Sequence, residues 1–535
     1  MEFDNTTYNY HSRRTVVQGK KGMVATSQPL AAQAGLDILK KGGNAVDAAV
    51  ATAACLTVVE PTSNGIGGDA FAIISFEGKL LGLNASGPSP ELLSCDELKK
   101  RGLKEIPKSG LTPVTVPGVP KAWAELIEKY GKLSLMEVLE PAIRYAQEGY
   151  PISATVSQLW NKGYERFQKE TDGKVFENWF KVFMPDGYPV VPGQIWKSKY
   201  HAETLREIGK TMSDSFYKGE LADKIHKFSV ENDGFIRKSD LEKFEVEWVK
   251  PISVNYRGYD VWEIPPNGNG IVALMALNIL NNFKFTERET FDTYHKQIEA
   301  LKLAFADGEK YITDPRFMNT NIESLLSKEY GKERAKLIGE KAISPEPGQP
   351  DKGGTVYIAT ADEEGNMVSY IQSNYMGFGS GVVVPQTGIS LQNRGNNFNM
   401  IEGHVNCVAP NKKTYHTIIP GFLTKDGKPI GPFGVMGGFM QPQGHVQVVS
   451  SMIDFNLNPQ DALNAPRWKW TEGKKVEIET GVSKSLAEKL AKAGHDIDMK
   501  ISDTTFGRGQ IILRDEQGVY TGATEPRTDG CVAVW

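Results

Sequence analysis

Cysteine is scarce. The chain has four in 535 residues (Cys55, Cys95, Cys407 and Cys531), far apart and with no CxxC pair. That excludes a disulfide scaffold and a structural zinc site, and predicts mostly free thiols in a reducing compartment. An excess of one charge is missing too. Lys+Arg 61 against Asp+Glu 65 leaves −4, so nothing in the balance calls for nucleic acid or an anionic membrane. The longest small-apolar run, Ala48 to Val59, is too short to span a bilayer and predicts a buried helix. The start, Met1-Glu2-Phe3-Asp4, is acidic and polar, the reverse of a signal peptide; a soluble cytoplasmic protein is expected.

Familiar catalytic signatures are absent as well. There is no GxxxxGK followed by Ser or Thr, and the eight histidines (His11, His201, His226, His295, His404, His416, His445, His495) form no HExxH or HxxxH pair. Ser380, in Phe-Gly-Ser-Gly-Val, does not lie in a GxSxG elbow. No metal site and no cofactor are expected. One motif does match a pattern: Gly268-Asn-Gly270-Ile-Val-Ala273 fits the dinucleotide fingerprint after an apolar strand, Tyr259 to Ile264. Pro265-Pro266 interrupts its turn, however, and no second strand ending in an acidic residue follows at the required distance. A turn before a buried helix is the better reading, and a nicotinamide enzyme is rejected.

What is present is ordinary globular composition, 40% apolar and 24% charged, with enough length for several domains or one large intertwined core. A strand over Met23 to Thr26 leads into two Ala-rich helices split by Gly42-Gly43-Asn44. A glycine-rich turn, Asn64 to Asp69, precedes a strand over Ala70 to Phe76. Residues 111–300 read as mainly helical and aromatic-rich, with helices over Ile271 to Asn281 and Phe291 to Phe305 and a charged helical stretch over Lys328 to Lys341. Pro345 to Gly354 is rich in Pro and Gly and predicts an exposed loop. A hairpin signal follows: Thr355 to Ala361, a five-residue turn Asp362 to Asn366, then Met367 to Asn374.

The hairpin carries a chemical implication. With that turn, Ala361 faces Met367 and Thr355 faces Ser373, whose Cβ atoms would stand roughly 5 Å apart, within reach of a hydroxyl–hydroxyl bond. Taken alone, that is a routine Thr–Ser pair on a sheet. But Thr355 also begins a strand directly after Gly354 in an exposed loop. Threonine is a poor nucleophile without a base; cutting the Gly354–Thr355 bond would supply one, an α-amino group of pKa roughly 7.7–8.0 in the same residue. Gly354 suits self-cleavage because it tolerates the strained backbone that hydroxyl attack on its carbonyl requires.

On these residues the chain resembles the γ-glutamyltransferase (glutathione hydrolase) family of N-terminal-nucleophile hydrolases, over nearly its whole length. The segments that carry the resemblance are Gly42 to Ala49, Glu60-Pro61 with Gly65 to Gly68, Thr355 with Asp362 to Asn366, Gly377 to Gly381, Gly437-Gly438 and Thr524 to Arg527. The resemblance implies an α+β fold, a four-layer αββα sandwich, and self-processing of a zymogen into fragments 1–354 and 355–535 that stay together as one intertwined unit. It implies Thr355 as nucleophile, Ser373 as its hydroxyl partner, and Gly437 and Gly438 as backbone donors to the oxyanion. A small-molecule amide would be the substrate, and a homo-oligomer is left open. Thr417 falls where the family has a serine beside the substrate, with His416 next to it; His416 could equally be structural.

Recognition residues depart from the family pattern. Where the family holds an α-carboxylate with arginine, this chain has Asn84, with Ser86 close by; where it holds the α-amino group with aspartate, it reads Asn396-Asn397. Tyr375 stands where asparagine is frequent, and 397–410 is shorter than in lidded members. An amide holds an ammonium only weakly. The resemblance implies transfer of a γ-glutamyl or related short dicarboxylic acyl group to water or an amine, while these losses point to substrates that lack the α-amino group. The alternatives are an acylase for non-amino acyl groups, close to cephalosporin-acylase-like and oxamate-amidohydrolase-like relatives, or a non-cleaving binding protein. Arg394, the nearest cation in sequence, is expected either to bind the free carboxylate or to form a surface or interfragment salt bridge.

Overall fold

The computed structural model describes residues 14–170, 173–345, 354–501 and 503–535. The Pro/Gly-rich loop expected before the hairpin falls mostly on 346–353, outside the described residues.

Two seven-stranded antiparallel sheets stack face to face. One runs Val17–Gly19, Tyr520–Thr524, Arg508–Arg514, Lys428–Met436, Gly421–Lys425, Tyr259–Glu263, Ile252–Tyr256. The other runs Cys531–Val534, Gly22–Thr26, Gly354–Asp362, Met367–Tyr375, Asp69–Phe76, Lys79–Ala85, Glu247–Val249. Both sheets thus contain strands from before and from after residue 354. The sheets meet where Gly354–Asp362 crosses Lys428–Met436. Gly434 makes the approach possible, since a Cβ there would sit 2.4 Å from the Tyr357 ring.

Helices complete the four layers. Pro29–Lys40 and Ala45–Val59 cover the second sheet. Every residue of Ala45–Val59 is buried, as the small-apolar run predicts. Asn44 caps it in a capping box with Asp47, and the hairpin turn joins in: Asp362 Oδ2 accepts from the Ala45 N–H at 2.9 Å, a carboxylate at a helix N-terminus. Gly270–Leu280 and Met440–Ile453 cover the first sheet. The motif Gly268 to Ala273 is therefore the turn and first residues of a wholly buried helix. The charged stretch expected to stay helical to Lys341 ends earlier, at Ala335.

A helical lobe over 119–242 packs beside the sandwich, and the part of the chain after 354 plugs into it. Phe378 sits 4.9–5.5 Å from the rings of Trp160, Trp179 and Phe183. No helix among the described residues is long and apolar enough to cross a membrane.

Candidate active site

The hairpin has the expected register from Ala361↔Met367 to Val356↔Gln372. It slips at the far end: Gly354 pairs with Tyr375, leaving Thr355 in a bulge instead of squarely opposite Ser373. The hydroxyls meet nevertheless, Thr355 Oγ1 lying 3.2 Å from Ser373 Oγ. Both residues are buried. Ser373 Oγ also accepts from the Tyr375 N–H at 2.7 Å, fixing that oxygen beneath the threonine.

Sequence reasoning missed a second partner. Gln441 Nε2 donates to Thr355 Oγ1 at 3.4 Å, and Gln441 Oε1 takes the Ile419 N–H at 2.9 Å. The signal was available, since Gln441 follows Gly438 by three residues in the first turn of Met440–Ile453. Gly437 and Gly438 form the corner between the strand Lys428–Met436 and that helix, with φ of 139° and 60°, values that favour glycine. The expected oxyanion donors therefore stand at the end of the strand that crosses the strand of Thr355. Arg508 was missed as well. Its Nη2 donates to the Thr355 carbonyl at 3.4 Å and its Nη1 to Glu60 at 2.9 Å, while the Ser27 hydroxyl donates to the other Glu60 oxygen at 2.5 Å.

The residues expected to bind substrate lie around a second cluster one strand further on. Asp69 is the cross-strand partner of Ser373, which puts its carboxylate on the same face of the sheet as the hydroxyls. Asp69 lies in the glycine-rich segment that the sequence singles out, yet it was not among the expected site residues. It binds Arg394 through both carboxylate oxygens, Nε at 2.8 Å and Nη2 at 3.1 Å. Arg394 Nη1 donates to Thr417 at 2.7 Å, and its guanidinium lies 4.5 Å from the Tyr375 ring centre. So Arg394 makes a buried ion pair between the two sides of residue 354 and is not at the surface. The Tyr375 hydroxyl donates to Asn397 Oδ1 at 2.5 Å, and Asn397 Nδ2 to the Tyr415 carbonyl at 3.0 Å. Asn396 turns away and donates to the Ile106 carbonyl at 2.6 Å.

His416 completes this cluster. Its Nε2 is 2.8 Å from Asp69 Oδ2 and its Nδ1 accepts from the Ile418 N–H at 3.4 Å, the pattern of a neutral ring with the proton on Nε2. Burial, reinforced by the Arg394 charge and opposed by Asp69, pushes the imidazole down to about 4. Burial would raise the Asp69 carboxyl, but Arg394 and His416 outweigh it and hold it at about 2. At neutral pH the cluster is thus a compensated Asp–Arg pair beside an uncharged histidine.

Asn84 and Ser86 sit apart, in a network of their own. Asn84 Nδ2 donates to Asn267 Oδ1 at 3.0 Å, the Ser86 hydroxyl donates to Asn84 Oδ1 at 2.7 Å, and Asn267 Nδ2 reaches the Thr414 carbonyl at 2.9 Å. Asn267 belongs to the turn of the rejected nucleotide motif. That turn runs beside His416 through the bonds His416 N–H to Asn267 carbonyl and Asn269 N–H to His416 carbonyl, at 2.9 and 2.8 Å. The motif is the backing of the recognition cluster.

Comparison with known proteins agrees with this architecture. The chain is 58% identical to a cephalosporin acylase from Bacillus halodurans, whose crystal structure superposes with a TM-score of 0.97 over 100% of this chain and 99% of that one. It is 39% identical to a glutathione hydrolase-like YwrD proenzyme from Bacillus subtilis (strain 168), over 96% of this chain and 98% of the relative. An oxamate amidohydrolase proenzyme from Klebsiella pneumoniae (strain ATCC 700721 / MGH 78578) is 31% identical over the same shares of the two chains. The family model described as gamma-glutamyltranspeptidase matches residues 31–535, a stretch that takes in nearly all of both sheets and both halves of the site. The chain belongs to the gamma-glutamyltranspeptidase family.

Proposed function

We propose that this chain is an N-terminal threonine amidohydrolase of the acylase type, which cuts its own Gly354–Thr355 bond and then removes short dicarboxylic acyl groups from amides. The observation that carries the reading is the Thr355 hydroxyl at the start of its strand, held by Ser373 and approached by Gln441.

In the precursor, Thr355 Oγ1 attacks the Gly354 carbonyl, the C–N bond breaks with its proton passing to the threonine nitrogen, and water hydrolyses the resulting ester. The freed α-amine is the base in the reaction proper. It takes the Thr355 hydroxyl proton as the oxygen attacks the substrate amide, then gives it to the departing amine. Gly437 and Gly438 N–H groups bear the charge on the tetrahedral oxygen. Water, or an amine, attacks the Thr355 ester and releases the acyl group. Because each sheet pairs strands from both sides of residue 354, fragments 1–354 and 355–535 remain one body.

The charge inventory favours an acyl group without an α-amino group. An ammonium needs an unspent carboxylate, and Asp69 is already occupied by Arg394 and His416, while neutral asparagines stand at 396 and 397. Arg394 uses three of its five N–H groups on Asp69 and Thr417, which leaves one on each Nη for a ligand carboxylate. Glutaryl-type or oxamate-type amides fit; the names of the acylase and oxamate amidohydrolase relatives support the same choice.

The test is an intact-mass spectrum under denaturing conditions of the wild type beside Thr355→Ala, followed by assay of both on a glutaryl amide and its γ-glutamyl counterpart. Two fragments that meet at Gly354–Thr355 in the wild type alone, with the glutaryl amide turned over faster, are expected. An uncut chain in both samples would overturn the enzyme reading in favour of a binding role, and faster γ-glutamyl turnover would overturn the substrate choice.

A further inference from the structure

Two of the four cysteines, distant in sequence, come together in the fold. Cys95 opens the helix Cys95–Lys100 on the large-fragment side. Cys407 lies in the 397–410 loop on the other side of residue 354, where its backbone bridges Asn399. Cys95 Sγ points at this loop, donating to the Met400 carbonyl at 3.8 Å, and Cys407 Sγ lies 3.9 Å from the Val408 carbonyl. Phe398 and Val408 of the loop pack with Leu93, Leu98 and Phe235 in a small apolar cluster that Cys95 and Met400 flank. Lys412 Nζ clamps the loop backbone by donating to the carbonyls of Val405 and of Cys407 itself, at 2.6 and 2.8 Å. Burial pushes the Cys407 thiol up, and the neighbouring Cys95 thiol adds to the shift. Both cysteines are reduced and only partly buried.

We propose that Cys95 and Cys407 form a reversible disulfide across the two sides of the Gly354–Thr355 bond, with a low-molecular-weight disulfide as the oxidant. One cysteine thiolate attacks the small disulfide RSSR, forming a protein–SR mixed disulfide and expelling one RS⁻. The other cysteine loses its proton and attacks the protein sulfur of that mixed disulfide, expelling the second RS⁻. Two protein thiols are oxidised to one disulfide, and one RSSR is reduced to two RSH. Thiolate is the attacking form, so the raised Cys407 thiol makes the reaction faster towards alkaline pH.

The bond would have two consequences. It pins the loop whose first residue, Asn397, holds the Tyr375 hydroxyl, so it fixes one wall of the recognition cluster. It would also join the two fragments covalently; that consequence, unlike the disulfide itself, rests on the self-cleavage proposed above.

The experiment treats the purified full chain with oxidised glutathione or with dithiothreitol at mildly alkaline pH, then blocks free thiols and maps tryptic peptides by mass. The expected result is a linked pair, residues 80–99 joined to 395–412, in the oxidised sample only, and lost in Cys95→Ser and in Cys407→Ser. On a denaturing gel without reductant, the oxidised wild type runs as one band that reductant splits in two. Full alkylation of both cysteines after oxidation, a stable glutathione adduct in place of the link, or a link to Cys55 or Cys531 would each overturn the proposal. A linked peptide pair from a chain that never splits on the reducing gel would confirm the disulfide and count against self-cleavage instead.

Discussion

The two ends of one row of side chains are built differently. At the nucleophile end, Thr355 and Ser373 are neutral hydroxyls and the bonds to Thr355 Oγ1 are long, 3.2 and 3.4 Å. At the recognition end, one strand away, Asp69, Arg394, Thr417 and His416 are joined by bonds of 2.7–3.1 Å between charged or strongly polar groups. The nucleophile proposed for Thr355 must change partners during turnover, so loose bonds from neutral groups suit it. The proposed binding wall must not move, and charge-assisted bonds in a buried setting are the stiff choice. Variants should therefore affect stability at the recognition end and catalysis at the nucleophile end.

The largest expected break of that contrast is Asp69→Ala. It leaves the Arg394 guanidinium, 1% exposed, without its carboxylate. Removing one partner of a buried pair costs about 3–5 kcal/mol, so chemical unfolding should show a loss of that size, while Ser373→Ala shifts stability far less. A double variant, Asp69→Leu with Arg394→Met, should recover most of the loss because no unpaired charge remains. Equal losses in the single and double variants would show that shape, and not charge compensation, holds this wall.

Acid sharpens the same contrast. The His416 ring has an ordinary value of 6.5 and a folded value of about 4, so between those pH values the unfolded chain binds a proton that the folded chain refuses. Stability contributed by the neutral ring is complete above 6.5 and falls as pH drops towards 4, by on the order of 3 kcal/mol over the window. Asp69 extends the fall below 3.8, since its folded value of about 2 favours the folded state only while the carboxylate is ionised. His416→Gln keeps an N–H for Asp69 and removes the titration. Its unfolding free energy should depend less steeply on pH between 6.5 and 4, and an unchanged slope would assign the acid sensitivity elsewhere.

The nucleophile end was far more legible in the sequence than the recognition end. Thr355 and Ser373 belong to one hairpin, and alternation plus a five-residue turn brings them together without any knowledge of the rest of the fold. Even there, the bulge at Thr355 escaped, because a register slip at a strand end depends on what the flanking loop does. The Ala-rich helices, their split at Gly42-Gly43-Asn44 and the burial of 45–59 follow from local pattern. The sandwich itself came through the resemblance, since strands 22–26 and 354–362 pair across more than half the chain. Asp69 was overlooked because its partners, Arg394 and His416, lie 325 and 347 residues away. Gln441 and Arg508 were missed for the same reason. Asn84 and Ser86 follow from alignment to a family position, yet their hydrogen bonds go to each other and to Asn267, the residue directly before the rejected fingerprint.

The mildest variant, Tyr375→Phe, probes the seam between the two ends. Tyr375 takes part in both: its N–H fixes Ser373 Oγ at 2.7 Å, while its ring lies beneath Arg394 and its hydroxyl holds Asn397. Phenylalanine keeps the backbone N–H and the ring face, and removes the hydroxyl with its bond to Asn397. That bond contributes about 1 kcal/mol, so the stability change should be small. If the hydroxyl serves only to fix the wall that receives the acyl chain, KM for a dicarboxylic amide should rise several-fold with kcat nearly unchanged, the pattern of lost uniform binding. A fall in kcat at constant KM would mean that the hydroxyl acts through Ser373 on the nucleophile, and the two ends of the row would then have to be read as one device.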